Sequence, residues 1–553
     1  MKKCLLFSVI LLIICLSLTS CLLTSCFQNK NDDITVSSDG YVVVNGNKTD
    51  HKVETQKIDE ITESDDGYVI VNGNKTNYKV ETEKIDEITE SDDGYVIVNG
   101  NKTNYKVHVH EFGDWKVIKS ASEAEDGMSE RVCACGEKET EIIYATGSIG
   151  LVYQIDSSTN EATVFSIGNC KSTDIFIPDI INEAKVTKIA KEAFYNSKTI
   201  TSIKIGNNVT DIPSEAFRYC SALKNVVIGN SVESIGDFAF QQCTELRNIT
   251  LGNSITSIGN YAFYNCTELI AIEIPNNTEF IGNYAFAECS RIINLTLGNN
   301  ITTIGEYAFK SCSSVSSLTL PENLTTIGNG AFTSLERITS ISIPNKVTNI
   351  GDYAFSNCIR LNNLKLSENL SYIGAYAFNK SNISELDIPN SVTIIGKCAF
   401  SSCTSLKKVT FGSGIKEIGE SAFADASSLS KIIFSPCEDL VINYYAFIRC
   451  NIKDIVFPNG VKAINDIAFG ENANLEQIVI PKSLELINWG VFRSTKLNVV
   501  YYEGTESEWN EINISNHYNE PLVSADKYFY SEDRPTETGN YWHYVDGIPT
   551  IWE

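Results

Sequence analysis

Residues 223–243 read LKNVVIGNSVESIGDFAFQQC, and this one stretch decides the fold. Val226 and Ile228, two residues apart after the polar Lys224 and Asn225, face the same way, the period-two pattern of a strand with one buried face. Gly229 and Asn230 then turn the chain, as turn chemistry favours. A second short extended piece ends at Ile235 and Gly236, after which Ala239 and Phe240 lead into Cys243. The same string returns along the chain. Phe194, Phe217, Phe240, Phe263, Phe286, Phe309, Phe332, Phe355, Phe378, Phe400, Phe423, Phe447, Phe469 and Phe492 follow one another at steps of 22 to 24 residues. A unit of that length cannot bury its apolar side alone and is stabilised by stacking on its copies. The expected architecture is a β-rich solenoid of about 14 coils of 23 residues over residues 147–500, with Phe240, Phe263, Phe286, Phe309 and Phe355 in its core.

Three positions within the coil carry expectations of their own. The residue after the repeating isoleucine is Gly in nine coils, Gly236 to Gly419, and Asn in the last three, at Asn443, Asn465 and Asn488. Gly and Asn share tolerance of positive φ, so the pattern predicts a left-handed turn there. Ala190 and Pro213 hold that place in the first two coils; proline is confined to negative φ, which predicts a different turn in them. The alanine before each Phe is expected on a short helical turn. Cysteine stands three residues after Phe at Cys220, Cys243, Cys266, Cys289, Cys312, Cys358, Cys403 and Cys450. Coils in register lie about 4.8 Å apart with parallel Cα–Cβ vectors, whereas a disulfide needs Cβ atoms about 3.8 Å apart and converging. A ladder of buried thiols, small and weakly donating, is the reading that fits.

This repeat resembles the BspA-type leucine-rich repeat. It departs from the general leucine-rich consensus in lacking the regular ladder asparagine. Residues 153–178 resemble the first coil of that family. The segment from Tyr501 and Tyr502 through Trp509 to Tyr541, Trp542 and Tyr544 resembles its closing segment. The resemblance implies a surface-exposed bacterial protein, and several such proteins act as adhesins for host, matrix or cell-surface proteins.

The flanks divide as 1–25, 27–107, 108–146 and, after the solenoid, 501–553. Lys2 and Lys3 precede an apolar run from Leu5 to Leu18, the layout of a secretory signal. Two Leu-Thr-Ser-Cys strings follow, each resembling a bacterial lipobox, so Cys21 or Cys26 is the expected lipidated residue and the chain is expected to be an extracytoplasmic, membrane-anchored lipoprotein. In residues 27–107 a 27-residue repeat runs alternating β-formers into Asn45-Gly46, Asn72-Gly73 and Asn99-Gly100, the strongest short hairpin signal. An acidic spacer separates the copies, and the whole reads as a stalk. Residues 108–146 resemble a small Cys/His module in which His108, His110, Cys133 and Cys135 could hold a structural zinc, against thiols or an incidental disulfide. The aromatic closing segment reads as a cap over the open end of the stack, or as a surface for sugar rings.

Composition excludes several functions. The chain has 553 residues and a net charge of −25, with 26 acidic against 13 basic residues in 27–150 alone. An acidic chain without basic runs does not bind nucleic acid, because phosphate binding rests on Lys and Arg. None of the five histidines lies in the coils, so no Ser–His or Cys–His pair forms there. No phosphate loop or zinc-protease motif occurs. The expectation is a non-enzyme with no cofactor beyond that possible zinc.

The variable positions are the outward residues of the first strand of each coil. In the middle they are small and polar, such as Asn294 and Thr296. Towards the end they become Lys431 and Ile433, Asp454 and Val456, Gln477 and Val479, an apolar column beside charges. This column is the expected contact for host or bacterial surface proteins, since exposed apolar stripes mark partner sites, although β-branched residues also suit strands. The remaining reading is a structural envelope protein or a glycan-binding module without a protein partner.

Overall fold

In the computed structural model, residues 112–552 are described, apart from 124, 126, 134 and 135, together with nine strand segments between 34 and 106. Cys21, Cys26, His108, His110 and Cys135 lie outside the described residues. The chain divides into two units, residues 1–118 with 129–141 and residues 119–128 with 142–553.

In the first unit each copy of the 27-residue repeat forms a three-stranded antiparallel sheet. Val44 pairs with Asn47, Val71 with Asn74 and Val98 with Asn101, so the strands on either side of each Asn-Gly are antiparallel partners, while the Asn-Gly residues themselves lie outside the described residues. The third strand is a correction to the sequence reading. Ile61–Glu63 and Ile88–Glu90, read above as spacer, pair with the first hairpin strand of their copy. The reason is that an isolated hairpin is marginal in water, and a β-branched Ile-Thr pair adds the strand it lacks. In the small module that follows, the Arg131 guanidinium lies 5.0 Å from the ring centre of Phe112 and 4.8 Å from that of Trp115, and pairs with Glu139 at 2.5 Å.

The second unit is a solenoid of about 16 turns at a spacing of about 23 residues. That is two more than the Phe-bearing coils, because the opening and closing turns carry none. Most coils contribute two short parallel strands in register with the next, such as Val226 with Ile249 and Ile235 with Ile258, although the first ladder is broken into several sheets and the coil of Leu318 adds no strand to it. The second ladder is an unbroken sheet of 14 strands, from Asp211–Ile212 to Asn513–Ile514. The parallel ladders run on past residue 500: Val499–Tyr502 pairs with Asp526–Tyr530. Between the ladders all fourteen phenylalanines are buried and form one continuous stack, with ring centres from 5.0 Å apart at Phe194–Phe217 to 6.1 Å at Phe469–Phe492.

The turn after the isoleucine differs from expectation. Gly236 to Gly419 are not at positive φ, and neither are Asn443, Asn465 and Asn488. Glycine is there for close approach: a Cβ on Gly236 would lie 2.6 Å from the nitrogen of Ser214, and one on Gly305 2.7 Å from the carbonyl carbon of Gly282. The left-handed residues come two places later and again two places after Phe, as in Phe238 at 59° and Gln242 at 63°. Glu192 and Glu215 adopt it as well, so the first two coils turn like the rest despite Ala190 and Pro213. No helix forms at the Ala-Phe pair. Ala239 N–H bonds to Gly236 O at 3.3 Å and Cys243 N–H to Phe240 O at 3.2 Å, while Phe240 N–H crosses to Ala262 O at 2.7 Å. Alternate amides thus serve the turn and the neighbouring coil. The cross-coil bonds hold the backbone of residues such as Phe238, Tyr261, Tyr284 and Tyr307 in a conformation that costs an L-residue about 1–2 kcal/mol. These four rings also stack on one another at 4.8–5.2 Å along the corner of the solenoid.

Two ladders of polar side chains link the coils. At the first turn, Asn207 accepts from Asn230 N–H, Asn230 from Asn253, Asn276 from Asn299, Asn345 from Glu368 and Asn390 from Ser413. At the second, Asp237 accepts from Asn260, Asn260 from Asn283, Asn283 from Glu306, Asn329 from Asp352 and Asp352 from Ala375. The asparagine missing from its usual place in the consensus is thus replaced by side chains at both corners, which satisfy backbone donors that strands do not reach.

Candidate binding surface

The thiol ladder is structural. Of the cysteines from Cys170 to Cys450, all but Cys170 and Cys398 are buried, and none is in a disulfide. Each repeat thiol points at the phenylalanine carbonyl of the preceding coil, as Cys243 does to Phe217 O at 3.2 Å and Cys266 to Phe240 O at 3.3 Å. In one coil that lacks the cysteine, Asn472 does similar work, donating to Phe447 O at 2.8 Å. Burial pushes the thiols up, Cys220 to about 11 and Cys358 to about 12. They are therefore protonated and inaccessible, the opposite of a reactive cysteine.

Cys133 is buried. The other three candidate zinc ligands lie outside the described residues, and no group of three or more metal-binding side chains occurs among the described ones.

Outward residues of the first strand are exposed along most of the stack. Lys431, Asp454 and Gln477 are exposed, and among the described residues neither Lys431 nor Asp454 is in an ion pair. Ile433 is 36% exposed and Val456 50%, but Val479 only 3%. Backbone pairing sets Val479 beside Val456 on one side and Tyr501 on the other. Val479, Tyr501 and Trp542 form a separate apolar cluster on the outward face. Trp542 is fully buried and donates its indole N–H to Tyr502 O at 2.9 Å. Val456, Val479 and Tyr501 thus follow one another by pairing, with Val479 covered by the closing segment, while Ile433 lies on the last strand of the preceding sheet and both Ile433 and Val456 are left open.

That closing segment was recognisable by its aromatics, but its shape was not. Residues Tyr541–Val545 and Ile548–Ile551 form a hairpin across Asp546 and Gly547, both at positive φ. Asp-Gly between β-formers is a hairpin signal that would have found it. Pro549 stands on the free edge strand, where it withholds a backbone donor from further pairing.

Comparison with known proteins agrees with this architecture. A family model described as "BspA type Leucine rich repeat region (6 copies)" matches residues 154–269, 234–346, 325–440 and 403–519. A leucine-rich repeat protein from Bacteroides ovatus is 25% identical, with a TM-score of 0.51, covering 69% of this chain and 98% of its own. A leucine rich cell surface protein from Faecalibacterium prausnitzii is 28% identical, with a TM-score of 0.37, over 68% of this chain and 98% of its own. No curated protein matches. The family matches span the residues that carry the stacked phenylalanines and both ladders, well over half of the chain, which thus belongs to the BspA-type leucine-rich-repeat proteins.

Proposed function

We propose that this chain is a lipid-tethered adhesin whose solenoid binds proteins of host cells, matrix or neighbouring cells through its outward strand face near the closing segment. The family supports a surface location, since BspA-like proteins are cell-surface proteins. No helix among the described residues is long and apolar enough to cross a membrane. Repeats of this type serve protein interaction, and their fold is typically non-catalytic.

The observation that carries the reading is the change along the outward positions from polar residues to Ile433 and Val456, both exposed on strands of successive coils. An apolar centre with a charged rim is the composition of a protein contact. Replacing Ile433 and Val456 by Ser is expected to weaken capture of the partner, measured on a panel of host extracellular proteins, while the melting temperature stays within a few degrees because neither side chain is core. Undiminished binding by the double variant would remove this column as the contact.

The tether supports the same role. Metabolic labelling with a palmitate analogue is expected to mark the protein, and Cys21→Ser to abolish the label. Labelling retained in Cys21→Ser and lost in Cys26→Ser assigns the second lipobox, and no label in the unaltered protein rejects the anchor.

A further inference from the structure

The turn ladder of asparagines changes character at the end of the solenoid. Asn459 and Lys482 hold its last polar positions, Gly504 takes the next by register, and Glu503 stands one residue before it. Beside them stand Tyr530, at the end of the strand Asp526–Tyr530, and Tyr544 from the closing hairpin. Asn459, Lys482, Glu503 and the two tyrosines line a hollow of about 270 Å³. Its groups are held in place. Tyr544 donates its hydroxyl to Glu503 Oε1 at 2.8 Å, and burial together with that carboxylate pushes the phenol well above its ordinary range. Tyr530 packs edge-on against the buried Trp542 at 5.3 Å. Lys482 lies 3.6 Å from Glu508, at the end of a short capped turn.

We propose that this hollow is a subsite for a neutral pyranose saccharide. The chemistry matches that ligand in each part. A carboxylate, a carboxamide and an ammonium group bind vicinal hydroxyls, which are both donors and acceptors. Two tyrosines supply apolar surface with a polar edge, as the C–H faces of a sugar ring require. The volume lies just below the usual range for small-molecule sites, about 300–1,000 Å³, and so suits one or two rings rather than a long chain. Upstream coils lack the combination, because no hairpin carrying a tyrosine stands beside their turns. The site is distinct from Ile433 and Val456 and stands whether or not that column binds protein.

The test is saturation-transfer NMR and calorimetry on the full chain with glucose, galactose, mannose, N-acetylglucosamine and lactose, up to about 10 mM, which spans weak affinities. At least one sugar is expected to bind saturably. Glu503→Gln and Asn459→Ala are each expected to weaken it by about tenfold or more, as loss of a hydrogen bond to a charged or aligned group does. Tyr544→Phe keeps the ring, and the loss it causes measures the hydroxyl that orients Glu503. Ile433→Ser is expected to bind as the unaltered protein. Absence of saturable binding by every sugar overturns the proposal. So does equal affinity in the Glu503→Gln and Asn459→Ala variants with an unchanged circular dichroism spectrum.

Discussion

Phe309→Ala is expected to cost about 3–5 kcal/mol, the range for a buried aromatic truncated in a close-packed core. Phe309 is fully buried, with ring neighbours at 5.3 Å in Phe286 and 5.7 Å in Phe332. It sits near the middle of the stack, and a solenoid's stability is a sum over coils and nearest-neighbour interfaces. Removing the ring damages one coil and two interfaces together. Urea unfolding followed by circular dichroism is therefore expected to change from one transition to two, with coils on either side of the lesion melting separately. A loss under about 1 kcal/mol with a single transition would show that the phenylalanine column is not what binds coil to coil.

A chain ending at Val500 is expected to lose the C-terminal coils altogether. The cut removes Tyr501 and Tyr502, the strand Asp526–Tyr530 that pairs with theirs, and the hairpin carrying Trp542. It uncovers Val479, Ile480 and Ile487, all buried in the full chain, each with about 1.5–3 kcal/mol of transfer free energy at stake. It also bares a strand edge, which pairs with other chains. Size-exclusion chromatography and thermal melting are expected to show aggregation and a lowered midpoint. A shorter cut after Ser531, removing the hairpin alone, is expected to keep the ladders and expose Val479 and Tyr501. A monomeric chain 1–500 with the melting temperature of the full protein would mean that the segment does not cap the solenoid.

The legible part of this fold was the part governed by burial. Phe240, Ile235, Val226 and Cys243 recur at fixed places because each fills the same volume in every coil, and volume constrains residue type tightly. The glycine after isoleucine was visible but ambiguous, because close backbone approach and positive φ both select glycine. Its neighbours resolve the matter only in space: the obstacle to a Cβ on Gly236 is Ser214, 22 residues earlier. The true left-handed positions were hidden because they hold Phe238, Tyr261, Ser421 and even Ile467, residue types that carry no signal for that conformation. The apolar column was legible at Ile433 and Val456. The covering of Val479 was not, since it depends on Trp542 arriving from more than 60 residues away. The closing aromatics could be read as a surface for sugar rings, but the hollow itself was illegible for the same reason. Asn459 and Tyr544 meet only when the hairpin folds back.

The steps between phenylalanines are not all alike. Phe378 to Phe400 and Phe447 to Phe469 are one residue short, and Phe423 to Phe447 one residue long. The shortfalls fall between the thiol position and the next apolar residue, as from Ser381 to Ile383 compared with Cys358 to Leu361. The excess falls in the loop at 435–439. The rings stay stacked across all of these steps, at 5.3, 5.1 and 5.1 Å. Copying slips of a single residue are thus absorbed at two forgiving loops, and loss or gain of an entire 23-residue unit leaves every remaining contact as it was. Reach becomes a quantity that unequal recombination can adjust in steps of about 4.8 Å, with the closing segment carried along intact.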